Sequence, residues 1–157
     1  MRSPSKATAW GGIQLAIGLV VGLAAVAIFF FGGGLVLWLT AKTALKAPVG
    51  YGKTLEYYGI SGWISLIGGV VTILLMFALG SMHARPALSL AVYSSFDPFS
   101  TTHKYLAALD IFGVWQTAVI GVALARMSGK STGMCLGIAF GLWILYVVAR
   151  ISLGIGS

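Results

Sequence analysis

From Ala7 to Ala41 the chain runs 35 residues without a charged side chain. As an α-helix rising about 1.5 Å per residue, that run reaches roughly 52 Å, against a bilayer hydrocarbon core of about 30 Å. A helix with no polar face has nothing to turn towards water. The rest of the chain agrees: 59% of its 157 residues are hydrophobic and only 8% are charged, where a soluble domain carries about 25%. The class is therefore an integral membrane protein, read as one membrane domain over residues 1–157. Ten Lys and Arg against three Asp and Glu leave a net charge of +7. In a soluble chain that excess would suggest nucleic acid. Here the basic residues stand between apolar runs, so anionic lipid headgroups are the expected partner. The single cysteine, Cys135, makes an internal disulfide impossible.

The charges and turn residues divide the chain into four expected spans, near 12–39, 60–80, 104–126 and 131–153. The architecture is thus an all-α bundle of four transmembrane helices. Trp10 and Trp38 read as interface anchors of the first span, with Gly32-Gly33-Gly34 as its weak point. The first run is far longer than the roughly 7–15 apolar residues of a cleaved signal peptide, so it reads as a retained span. Between spans one and two, Pro48, Gly50 and Gly52 break a Lys-rich segment. Lys53 to Tyr58 then suits a short amphipathic helix lying in the interface. Residues 86–103 read as an aromatic, mostly extended loop. Arg126 to Lys130 is a tight basic turn that makes spans three and four an antiparallel hairpin. With four spans, Arg2, Lys6, Arg85, Lys104 and Arg150 share one side, and Lys42, Lys46, Lys53, Arg126 and Lys130 share the other. That tie leaves the positive-inside rule without a decision. The two compact basic loops tip the reading towards placing 42–59 and 126–130 in the cytoplasm.

Lipid tails give helices no hydrophobic reason to associate, so close backbone approach at small residues must do it. The 22 glycines supply such stripes: Gly18 and Gly22 in span one, Ser61, Ser65 and Gly69 in span two, Gly113, Thr117, Gly121 and Ala125 in span three, and Gly133, Gly137 and Gly141 in span four. Packing within the chain is the main expectation, with contact to a second copy or another subunit through one stripe as the sharper one.

Ionisable residues inside a membrane are the best functional clues such a sequence offers. Asp110 is the acid inside a span, three residues before Gly113. In a hairpin turning near residue 128 it lies about level with residue 147, within reach of Arg150. A buried Asp110–Arg150 ion pair is the resulting expectation, fixing helix register, with proton conduction or a lipid or partner contact as alternatives. His83 and His103 flank one loop on the same side; haem or chlorophyll ligation there is a minor option. No Asp, Glu or Cys cluster supports a metal site, and no cofactor is expected. No Walker loop, G-x-S-x-G or H-E-x-x-H occurs. The three acids, Glu56, Asp97 and Asp110, lie on separate segments, so the chain does not read as an enzyme.

Residues 13–153 resemble the Yip family, the Ypt/Rab-interacting membrane proteins, and especially its bacterial members. The resemblance rests on Ala108-Leu109-Asp110-Ile111-Phe112-Gly113-Val114-Trp115, the basic turn and the Gly-rich last helix with Trp143. The connector from Lys42-Thr43-Ala44-Leu45 through Tyr57-Tyr58 to Trp63-Ile64 carries it further. Family members usually have five spans, so this chain lacks the first; it also lacks the Asp-Leu-Tyr-Gly-Pro motif of eukaryotic members. The resemblance implies a non-catalytic scaffold or adaptor of a bacterial inner membrane, with lipids and other membrane subunits, or a second copy, as partners and with its two basic loops in the cytoplasm. The alternatives are an accessory structural subunit of a respiratory or photosynthetic complex, or a small transporter using Asp110, Gln116 and Thr117.

Overall fold

The computed structural model describes the backbone of residues 4–154 and the side chains of residues 12–154. Arg2 and the side chains of Lys6 and Trp10, expected at an interface, lie outside the described residues. Five α-helices follow in order: α1 (Pro4–Thr43), α2 (Tyr51–Leu79), α3 (Thr101–Ala108), α4 (Ile111–Ser128) and α5 (Thr132–Ser152), with a 3-10 helix over Leu88–Ser95 before α3. Four of them, α1, α2, α4 and α5, are long and apolar enough to cross a membrane.

The glycine triplet does not break α1, which continues for 40 residues, about 60 Å at helical rise. It ends where Lys46 takes a left-handed φ of 52°. The Ala47 N–H then reaches back to the Ala41 carbonyl at 2.9 Å, which satisfies a carbonyl the helix end leaves open. The separate interfacial helix expected over Lys53–Tyr58 is not present. Those residues form the first turns of α2, because beyond Gly50, its N-cap, nothing interrupts the helical hydrogen bonds. Lys53 and Glu56 pair on its exposed face at 2.6 Å.

The third expected span is also corrected. Instead of one helix over 104–126 the chain forms α3, a break at Leu109-Asp110, and α4. The break has a backbone cause. Residues 86–88 run alongside 109–111: Leu88 N–H donates to the Leu109 carbonyl at 3.2 Å, and Ile111 N–H donates to the Pro86 carbonyl at 3.1 Å. Asp110 is extended and accepts from Phe112 N–H through Oδ1 at 2.7 Å. It is an N-cap, the position where a short acidic side chain meets unpaired amides. The loop over 86–103 is correspondingly less extended than expected, since the 3-10 helix and α3 occupy much of it.

The α4–α5 hairpin forms, but its turn is shorter than expected: Arg126, Met127 and Ser128 belong to α4, and only Gly129, Lys130 and Ser131 link the two helices. Gly129 closes α4 with φ 66° and donates its N–H to the Ala125 carbonyl at 2.9 Å. Ser131 caps α5 by accepting from Met134 N–H. α4 and α5 make the most extensive contact, followed by α2 on α4 and α1 on α2. The tightest core lies at the connector end of the bundle, where Leu37, Ala41 and Leu45 meet Leu124, Ala125, Cys135 and Ala139.

Candidate functional sites

The glycine stripes divide sharply. A Cβ on Gly121 would stand 2.9 Å from the Leu136 Cα, so this glycine sets the approach of α4 to α5. Thr117 and Ala125 on the same stripe are also buried. On α2 the packed positions are Ser61, Ile64 and Gly68, with Phe112 against Gly68. The expected contact at Gly69 is displaced by one residue. On α5 the packed face carries Cys135 and Ala139. Gly133, Gly137 and Gly141 have open space beside them, as do Gly18, Gly22 and Gly69. Close packing within the chain is therefore corrected for these six. A four-residue glycine period marks a smooth helix face, and cannot say whether the partner is in the same chain.

Among the described residues, α1 is joined to the bundle through its last turns. Tyr58 lies against Gly33 and Leu55 against Gly34. Tyr51 Oη donates to the Phe31 carbonyl at 2.9 Å, and Trp38 Nε1 donates to the Val49 carbonyl at 3.1 Å. N-terminal to Phe29 the described side chains are almost all exposed: Leu23 by 70%, Val26 by 67% and Ile28 by 71%. Gly18 and Gly22 lie on this free stretch.

The second site is at the opposite end of the bundle from the connector core. His83 and His103 both stack on Phe96, with ring centroids 5.0 and 5.5 Å away. His103 Nδ1 accepts from Asp97 N–H at 2.9 Å, which puts the proton of the neutral ring on Nε2. Beside this stack a cavity of about 200 Å³ opens between the loops, α3 and the end of α5. His83, Arg85, Lys104 and Arg150 contribute to its wall, with Ala107, Val147 and Ile151 as apolar lining.

Asp110 and Arg150 form no salt bridge; among the described residues the ion pair is Lys53–Glu56. The expected pair fails because Asp110 is committed to the α4 N-terminus, while Arg150 turns to the cavity. The other polar groups of the expected third span are engaged within the bundle, one across to α2 and one inside α4. Ser65 Oγ donates to Gln116 Oε1 at 2.5 Å, and Thr117 Oγ1 donates to the Gly113 carbonyl at 2.8 Å. Among the described residues, no three His, Cys, Asp or Glu side chains converge as metal ligands would. Sequence reasoning placed the two histidines and Arg150 on one side. It missed that Arg85 and Lys104 join Arg150 around one cavity, because the join depends on the α3–α4 break. The signal was there in Asp110, an N-cap residue directly before an apolar run.

Comparison with protein-family models, curated proteins and solved structures finds no match for this chain.

Proposed function

We propose that the chain is a non-catalytic, multi-pass membrane scaffold or adaptor of the Yip kind, which engages a transmembrane helix of another membrane protein through the free half of α1. The observation that carries this reading is the departure of α1 from the bundle beyond Phe29, with Gly18 and Gly22 exposed on it. α2, α4 and α5 pack on one another without that half, so it has no role in holding the bundle together. An apolar helix with glycines four apart lets a second backbone approach closely, and dispersion then favours association in lipid. The hydrogen bonds of Gln116 to Ser65 on α2 and of Thr117 to the Gly113 carbonyl leave little polarity for a transport path.

The test is affinity purification of the full chain from its own membranes in mild detergent. The expected result is a stoichiometric membrane partner that is lost with Gly18→Leu/Gly22→Leu. Gly133→Leu/Gly137→Leu, on the equally open face of α5, should retain it. Recovery without any partner would contradict the reading. A partner that carries redox or light-absorbing cofactors would assign the same surface to an accessory subunit of a larger complex.

A further inference from the structure

The cavity beside Phe96 is built from four separate segments: the turn after α2 with His83 and Arg85, the loop with Phe96 and Pro98, α3 with Lys104, and the end of α5 with Arg150 running on to Gly154. Three formal cations thus face one space. Neither Asp97 nor Asp110 lines the cavity or forms an ion pair with these cations. Asp97 Oδ1 accepts from Phe99 N–H at 2.9 Å, and Asp110 caps α4. The C-terminal ends of α3 and α5 also reach the wall, through Ala108 and Ile151. Each helix end carries about −0.5 charge. Three cations less two such ends leave an excess of roughly two positive charges. Bringing like charges together around one cavity costs free energy that an anion would recover.

We propose that this cavity binds a phosphate group. Two guanidinium forks and one ammonium suit phosphate oxygens, since Arg pairs with them bidentately and Lys acts as a point charge. The size agrees: 200 Å³ is below the roughly 300–1,000 Å³ of drug-sized sites and fits one small polar group. Its place at the end of membrane-length helices, with Met82 and Phe99 exposed by 83% and 87% on the flanking loops, puts it where a phospholipid headgroup would lie. This inference is independent of the α1 reading, because no described residue of α1 lines the cavity.

The experiment titrates the purified full chain in a zwitterionic detergent with three probes: dioctanoyl phosphatidylglycerol, dioctanoyl phosphatidylcholine and inorganic phosphate. Binding is read by native mass spectrometry and by the shift in melting temperature. Binding of phosphatidylglycerol over phosphatidylcholine, without competition from inorganic phosphate, assigns the site to an anionic lipid. Binding or competition by inorganic phosphate assigns it to a soluble phosphate compound. In either case Arg85→Gln and Arg150→Gln each weaken binding about tenfold, and Arg126→Gln, at the opposite end, does not. Ala107→Leu, which narrows the cavity and keeps every charge, also weakens it. The melting temperatures of the unliganded variants identify any that misfold, and Lys104→Gln then replaces them. Equal binding by the wild type, the charge variants and Ala107→Leu, or binding of none of the three probes, would overturn the proposal.

Discussion

Asp110 shows how one residue's chemistry depends on whether its backbone is helical. Inside a span its charge would need a cation; at the start of α4 its Oδ1 is satisfied by the Phe112 N–H. The two assignments predict different variants. Asp110→Ala should lower stability by about 1 kcal/mol through loss of the cap, and Asp110→Asn should keep most of it because Asn also caps. Arg150→Gln should leave the melting temperature nearly unchanged; an ion pair would make it as harmful as Asp110→Ala. Thermal unfolding of the three variants in one detergent distinguishes these outcomes. Ser89 is a second informative residue. Its side chain is fully buried and its hydroxyl has no hydrogen-bond partner. A buried unsatisfied hydroxyl is a cost of about 1–3 kcal/mol, so Ser89→Ala should raise the melting temperature. A fall would mean that the hydroxyl is hydrogen-bonded, as an enclosed water would allow.

At the scale of elements, the glycines separate into those that set helix distances and those that do not. Gly121→Ala pushes a methyl group towards the Leu136 backbone and should destabilise the hairpin by about 1–3 kcal/mol. Gly137→Ala meets open space and should be neutral, or stabilising by up to about 1 kcal/mol from helix propensity. Thermal melts of the two variants side by side test this contrast. Sequence alone made the hairpin legible, because five residues between Ala125 and Ser131 leave only a tight turn. It made the fourth apolar helix legible too, between Lys130 and the tail. The packed face of α5 was not legible. Cys135 and Ala139 have the same four-residue spacing as the glycines beside them, and small residues on either face are equally at home in lipid. The continuity of α2 through Tyr57-Tyr58 was hidden for a related reason: charge marks where a helix leaves apolar surroundings, and a helix does not have to end there.

For the whole molecule, stability and association are concentrated in different places. The connector end holds the packed core, so Leu124→Ala, at a fully buried position, should cost about 2–5 kcal/mol. Chemical denaturation in mixed micelles would measure it. The free half of α1 has no such role, and its substitutions should leave the melting temperature unchanged while altering association. The four helices long and apolar enough to cross a membrane followed from apolar run lengths. The splaying of α1 did not, because a span facing lipid and a span facing a helix have the same composition. The most direct measurement is site-specific photo-cross-linking in native membranes, with the photoreactive residue placed at Val26 on α1 and, separately, at Ile144 on the exposed face of α5. The account predicts one discrete adduct with a membrane protein from Val26 and only lipid adducts from Ile144. Lipid adducts alone from both positions would contradict it.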